Sequence, residues 1–475
     1  KGDELVKVIG TDFQGLLVIE PEVFRDERGW FTESYVKSKM TESGIDFDFV
    51  QDNHSYSARR GTLRGIHFQI NPRAQTKLIR CTRGAIMDTV VDLRKGSDTY
   101  LKWFSIELSA DNKKQLLIPK GFGHAFLTLT DDVEVQYKVD DFYSSIHDRS
   151  VRFDDPELGI EWGIDEPILS PKDRDAPYLK DSDVNFTIRV LVTGASGQLG
   201  RDVVRRLGEL GIEVIGIDKD DLNLTDDRKV EQFVKAIGPH VVVHCAAYTA
   251  VDAAEDDRET CYAVNATATR NLAKVCAGMD AKMVYVSTDY VFDGRGSEPI
   301  PEDAPPRPVN FYGYSKWHGE VAVQQTMEKF FIVRTSWLYG EGGDNFVKKI
   351  ARLAHSYDRI NVVDDQIGAP TYTRDLAVFV CDLLQTRKYG IYHGVNAGYC
   401  SWYEFALAIV ESLGLTTEVV PVTSSQYPTR AERPRNSRLS SKRLVDNGFT
   451  PLPHWKDALG RFVSESIRKD GGVSV

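Results

Sequence analysis

The chain has 475 residues, 41% of them hydrophobic and 27% charged, with a formal net charge of -11 at pH 7. That length exceeds what one hydrophobic core usually organises, so two domains are expected, and the acidic balance argues against nucleic acid as a partner because counterion-releasing binding needs a basic surface. No apolar run approaches the roughly 18 residues that would cross a bilayer, and the opening KGDELVKVIG lacks the apolar block of a secretory signal, so the expectation is no membrane and a cytoplasmic location.

From Lys77 to about Val139 short apolar or alternating stretches follow one another: KLIRC, AIMDTVVDL, KWFSIEL, KQLLIP, GHAFLTL and VEVQYKV, separated by turn-like TRG, RKGSD, SADN and TDD. Strands at this spacing with no helical pattern between them predict an all-β, cupin-like jelly roll. Jelly rolls of that type often hold a metal through an HxH pair, but His67 is followed by Phe68 and Gln69, so no metal is expected. With Arg64 and Lys77 on neighbouring strands, His67 suits a base working beside an anchored phosphate and a developing enolate. Taken alone, a single histidine here is better read as one hydrogen-bonded in a barrel wall.

The segment SPKDRDAPYLKDSDVNF, residues 170–186, is charged and proline-bearing with little to bury, and reads as a linker with the domain boundary near Asp183, giving domains 1–184 and 185–475. From Thr187 the rhythm changes to TIRVLVTG, QLGRDVVRRLGEL, EVIGID, DRKVEQFVKAIG, HVVVHCAA and KMVYVSTDYVF. Strands alternating with amphipathic stretches of ten or more residues predict an α/β, Rossmann-type doubly wound parallel sheet, followed by a smaller C-terminal substrate-binding part. The six cysteines, Cys81, Cys245, Cys261, Cys276, Cys381 and Cys400, show no CxxC spacing and read as free thiols in apolar runs.

In GASGQLG the glycines fall at Gly194, Gly197 and Gly200, so backbone can approach a pyrophosphate while the next helix, entered through Gln198 and Leu199, faces its charge. VIGID ends at Asp218, 24 residues past Gly194, near where an acid accepts from an adenosine ribose; that favours NADH, although Lys219 and Arg201 could serve the 2′-phosphate of NADPH. STDYVFDG and YGYSK supply Thr288, Tyr312 and Lys316. Tyrosine and lysine four apart share a helix face, so an ammonium beside the phenol would lower its pKa from about 10 toward neutrality, and Thr288 at a strand end would hydrogen-bond the same carbonyl oxygen.

These residues resemble the extended short-chain dehydrogenase/reductase family. AAYTAVDAAE, STDYVFDG, RTSWLYG, DQIGAPT and RPRNSRL are similar to its dTDP-4-dehydrorhamnose reductases, over Ile188 to about Phe462. The resemblance implies that Thr288, Tyr312 and Lys316 are catalytic, that Gly194, Gly197, Gly200, Ala246 and Ala247 line the cofactor, and that Trp337 and Arg433 face the sugar nucleotide. Asn223 in LNLTD stands where the family commonly has aspartate near the adenine. A 4,6-dehydratase would share the fold, but there an acid pair typically follows the threonine, whereas Asp289 and Tyr290 follow Thr288.

The first half, in FRDERGWFTES, QDNHSYS, LRGIHFQ, PKGFGHAFLTL, VQYKVDDFY and ILSPKDRDAP, resembles the dTDP-4-dehydrorhamnose 3,5-epimerases over most of residues 15–180. That implies His67 as the base at C3 and C5, Asp173 orienting its imidazole, Tyr137 returning a proton from the opposite face and Lys77 stabilising the enolate. Phe24, Arg28, Glu33, Gln51, Asn53, Arg64 and His124 would hold nucleotide and sugar. Together the resemblances imply a bifunctional enzyme of dTDP-L-rhamnose synthesis acting on a dTDP-4-ketosugar, with NADPH or NADH as cofactor and a homodimer formed through the epimerase-like half. The alternatives are another 6-deoxy-L-hexose, reached by inverting one centre or by hydride from the other face, or one half kept as a non-catalytic assembly module.

Overall fold

A computed structural model describes residues 6–467 of the chain. They form two compact units that divide between Ile188 and Arg189.

The first unit is built from two antiparallel sheets. One runs in the order Lys7–Gly10, Leu17–Glu20, Gln115–Ile118, Lys77–Arg83, Val133–Val139, Gln51–Ser57, and the other Asp148–Ser150, Leu63–Gln69, Phe122–Thr128, Ala85–Asp92, Trp103–Ser109. Their alternating apolar positions meet in one core: Ile79, Leu116 and Val135 from the first sheet pack with Val90, Leu108 and Phe126 from the second. Period-2 alternation therefore decides the architecture, because each strand must bury one side.

The unit runs four residues further than the linker reading put it. Phe186 is buried beside Phe68 and Val91, its carbonyl accepts from Lys95 N–H, and the stretch before it folds into the one-turn helix Pro171–Arg174 with Asp173 and Ala176 buried. A charged, proline-bearing composition hid these three buried residues.

The second unit is organised on a six-stranded, all-parallel sheet in the order Glu213–Ile217, Arg189–Thr193, Val241–His244, Lys282–Thr288, Phe330–Thr335, Gly390–His393. Its central strands, such as VVVH, are buried along their whole length, as expected where helices cover both faces. Local signals end the helices: Asp226 caps Asp227–Ile237, which stops at Gly238 with φ 62°. A second core gathers Phe346–Ser356, Trp402–Leu413 and Trp455–Phe462 around Tyr339, Phe405 and Phe462. The helix Trp402–Leu413 opens on a capping box of Ser401 and Glu404.

Candidate active sites

In the first unit the interior side of the sandwich collects ionisable groups from both sheets. His67 pairs with His124 but Arg64 pairs with Phe126, so three residues of one strand span two of the other. This β-bulge leaves Arg64, His67 and His124 on one side, the side of the core residue Phe126. From the facing sheet, Tyr137 pairs with Asn53 and Val139 with Gln51, and Lys77 is two residues from the core residue Ile79 on its strand. Lys77 thus approaches from the opposite sheet and is not on a strand beside that of His67, a correction that periodicity alone could not make. Its Nζ stands 6.0 Å from the Tyr137 ring centroid.

His67 Nε2 lies 2.5 Å from Asp173 Oδ1. Asp173 is 3% exposed, and its N–H donates to the cap oxygen Ser170 Oγ at 3.1 Å. Burial opposes its charge, yet the hydrogen bond and charge of His67, aided by Ser170 and Gly65, hold the carboxyl below the usual carboxylate range. An ionised Asp173 accepts from Nε2–H, which leaves Nδ1 as the basic nitrogen. Burial lowers the Lys77 pKa to about 8, against the attraction of Asp88 and Asp148. Burial likewise pushes His124 down, although Asp88 Oδ2 sits 3.0 Å from its Nε2, and pushes Tyr137 up.

Two features escaped the sequence reading. Asp88 is fully buried behind Lys77 and His124, and its signal was an acid at an inward position of AIMDTVVDL. Asp148 pairs with Lys172 at 2.6 Å and also acts on Lys77 and Tyr137. Phe24, Arg28 and Glu33 are not brought into this group. Phe24 lies on the exposed hairpin Phe24–Asp26/Gly29–Phe31, Arg28 pairs with Asp26, and Glu33 pairs with Lys39. Gln51 donates to Asn53 Oδ1 at 2.9 Å, and Arg64 holds Ser57 Oγ and the Tyr56 carbonyl. Among the described residues no group of three His, Cys, Asp or Glu side chains is arranged to hold a metal ion.

In the second unit, the strand order reverses between Arg189–Thr193 and Val241–His244, and the glycine turn and Ala246–Ala247 follow those two strands. They flank the crevice in which open α/β sheets bind dinucleotides. Gly194 has φ 68°, and a Cβ there would come within 2.7 Å of Ala246 N; a Cβ on Gly200 would lie 2.1 Å from Gly194 O. The helix Gln198–Glu209 starts at Gly197 without a side-chain cap, so its first N–H groups are available to an anion, and the buried Leu199 anchors it. Gln198 is held by Asp344 O and Asn345 Nδ2 at 3.3 and 3.2 Å. Asp218 Oδ2 accepts from Ser196 N–H at 3.0 Å, so the acid expected at the ribose also braces the turn.

Thr288, Tyr312 and Lys316 meet at the carboxyl edge of the sheet, all buried. Tyr290 N–H donates to Thr288 Oγ1, which itself donates to Asp289 Oδ1 at 3.1 Å and acts on the nearby Tyr312 phenol. The expected lowering of the Tyr312 pKa is not found: burial pushes the phenol up, outweighing Thr288. Lys316 aims elsewhere, donating to Val286 O at 2.7 Å with its Nζ 4.2 Å from the Tyr285 ring centroid, and burial lowers it to about 7. Helical spacing identifies the shared face but not where the ammonium points.

Burial also raises Asp289 to about 6, although Ser437 Oγ donates to its Oδ2 at 2.5 Å. Arg433 pairs with Asp252 at 2.8 Å and lies 5.9 Å from the Tyr290 ring, which in turn packs edge-on to Tyr312. Trp337, at φ 49°, follows the strand whose Thr335 pairs with Thr288, and its ring stacks on Trp402 at 3.5 Å.

A glycine turn at the switch point of a parallel sheet, with Thr288, Tyr312 and Lys316 at the same edge, defines a dinucleotide-dependent oxidoreductase of the short-chain dehydrogenase/reductase class. The chain belongs to the RmlD substrate binding domain family, whose model matches residues 188–468. A second family model, dTDP-4-dehydrorhamnose 3,5-epimerase, matches residues 10–181. The chain is 43% identical over 278 residues to a dTDP-4-dehydrorhamnose reductase of Streptomyces griseus, covering 57% of this chain and 91% of that protein. The crystal structure of a Bacillus anthracis dTDP-4-dehydrorhamnose reductase in complex with NADP is 44% identical, with a TM-score of 0.58 over 58% of this chain and 99% of that one. A 3,5-epimerase structure from the same organism, with TDP and PPi bound, is 54% identical over 37% of this chain and 99% of that one, with a TM-score of 0.36.

Proposed function

We propose that the chain is a bifunctional enzyme of dTDP-L-rhamnose synthesis, which epimerises dTDP-4-dehydro-6-deoxy-D-glucose at C3 and C5 and then reduces the C4 ketone. The observation that carries this reading is that one chain holds both a His67 paired with the buried Asp173 opposite Lys77 and a Thr288–Tyr312–Lys316 group on the sheet that carries a glycine turn.

C3 and C5 both flank the C4 ketone, so one base and one enolate-stabilising cation serve both inversions. His67 removes the proton, the electron pair moves to the C4 oxygen beside the Lys77 ammonium, and Tyr137 protonates the carbon from the opposite face. Asp173 stabilises the imidazolium that forms. Arg64, Gln51, Asn53 and His124 line the same interior and hold the sugar nucleotide, and Asp148 and Lys172 belong to that surface. Phe24, Arg28 and Glu33 sit on or beside an exposed hairpin with Trp30 and Phe31 exposed as well; cover by a second copy, in a homodimer formed through this unit, completes the reading.

In the second unit the glycine turn, Gln198, Leu199 and Ala246–Ala247 would hold NADPH or NADH, which supplies hydride to C4 when bound. A Cβ at Gly194 or Gly200 would collide with the backbone of Ala246 or of Gly194 itself, so glycine is what lets the turn and helix close up in this shape. Tyr312 donates its proton to the C4 oxygen, Thr288 hydrogen-bonds that oxygen, and Lys316, held at the Val286 carbonyl, adds positive charge to this helix face in its protonated form. Trp337 and Arg433, in the C-terminal part, face the sugar nucleotide. No helix among the described residues is long and apolar enough to cross a membrane.

Incubation of the protein with the 4-ketosugar nucleotide and each reduced cofactor, followed by NMR of the product, tests the reading. The expected product is dTDP-L-rhamnose; inversion at only one centre, or another 6-deoxy-L-hexose, overturns it.

A further inference from the structure

One buried carboxylate of the second unit has no role in the chemistry above. Glu320 is fully buried, four residues beyond Lys316 and eight beyond Tyr312, on the same face of the helix Phe311–Thr326. Its Oε1 accepts from Ser287 Oγ at 2.6 Å and from Arg334 Nε at 2.9 Å, and its Oε2 from Arg334 Nη2 at 2.7 Å. Ser287 and Arg334 are paired neighbours on adjacent strands, each one residue before the paired Thr288 and Thr335.

The helix therefore grips the sheet edge at successive points: the Lys316 carbonyl at Tyr285 Oη, the Lys316 ammonium at the Val286 carbonyl, and Glu320 at Ser287 and Arg334. The close approach is built in, since a Cβ on Gly319 would come within 2.2 Å of Tyr285 Oη and one on Gly313 within 2.0 Å of Tyr290 O. Arg334 is itself locked, with Nη1 on Glu302 O at 3.0 Å and its guanidinium 4.9 Å from the Phe292 ring.

We infer that Glu320 is a positioning residue of the reductase centre, docking the helix of Tyr312 and Lys316 through Ser287 and Arg334 onto the strand ends that carry Thr288 and Thr335. The inference rests on the reductase reading of this helix. The groups facing Lys316 from the surrounding elements are the Tyr285 ring, the Val286 carbonyl, Cys245, Cys261 and His244, with Tyr312 and Glu320 on its own helix. Burial lowers Lys316, and the charge of Glu320 is the largest influence acting against that.

The test is Glu320→Gln in the full chain, with Glu320→Asp as the charge-retaining control. In Glu320→Gln, 13C-lysine NMR, with Lys316 assigned from Lys316→Arg, should show Lys316 titrating about one pH unit below wild type. The kcat for cofactor oxidation should fall about tenfold at neutral pH with KM within about threefold, and its pH profile should move the same way as the titration. Glu320→Asp should return the titration toward wild type. If Glu320→Gln does not fold, Glu320→Gln/Arg334→Gln, which leaves no unpaired buried charge, takes its place, with the same fall in kcat at nearly constant KM as the expected result and an unchanged kcat overturning the inference. An unchanged Lys316 titration and pH profile in a folded variant overturns the inference. If wild type fails to oxidise NADPH with the ketosugar, the reductase reading fails instead, and the NMR titration still decides the role of Glu320.

Discussion

His67 and Asp173 are 106 residues apart in the chain and 2.5 Å apart in space. Neither periodicity nor composition joins them, because the contact is made by a one-turn helix packed back on a strand; only family likeness named Asp173, and its low exposure gives the physical reason. The same limit explains Asp88 and Glu320, acids whose partners His124, Ser287 and Arg334 lie on other elements and which look like ordinary acids when read locally. Replacing His67 by Asn keeps the reach but removes the base, and solvent-deuterium exchange into C3 and C5 is expected to fall about 100-fold to 10,000-fold. Persistent exchange, followed by NMR, would make His67 structural. Lys77 carries a pH prediction. Its pKa of about 8 leaves it charged below that pH, so epimerisation should decline as pH rises through about 8. Because the folded value lies below 10.5, the unfolded chain binds more protons between the two, and this group's contribution to stability rises with pH over the same window. Activity measured alongside thermal stability separates loss of the cation from unfolding, and Lys77→Met should lose that limb.

At the level of elements, alternation and helical period predicted the antiparallel strands of the first unit and the strand–helix rhythm of the second, since both patterns follow from one-sided or two-sided burial. The failure came at 170–186, where charge and proline suggested a linker and the chain instead supplies a one-turn helix that buries Asp173, and then the buried Phe186. What stood out too little was Ser170 followed by proline, a helix start in which the serine oxygen receives the Asp173 N–H. Ser170→Ala should cost about 1 kcal/mol of local stability. With the cap gone, Asp173 is less firmly held against His67, so deuterium exchange should slow while reduction of an already epimerised ketosugar is unaffected. Equal slowing of both would mean that the substitution damages folding generally and does not act through the helix.

For the whole molecule the question is whether the two centres need one another's chemistry. The units separate between Ile188 and Arg189, and each has its own core. On the proposed function, reduction consumes the epimerised ketone and draws an unfavourable epimerisation forward, so the coupling is through mass action and not through shared residues. Tyr312→Phe isolates that coupling, because it removes one hydroxyl, the proton donor to the C4 oxygen, in the second unit alone. NADPH oxidation should drop about 100-fold to 10,000-fold, the range for losing a general acid. Deuterium should still enter C3 and C5 at the wild-type rate, but the sugar should remain an equilibrium mixture of ketones with no deoxyhexose formed. Adding a separate active reductase should then convert the mixture to product, since the epimerised ketone is free in solution. If exchange falls together with NADPH oxidation in a variant of unchanged stability, the epimerase centre depends on the state of the reductase centre, and transfer by mass action alone is excluded.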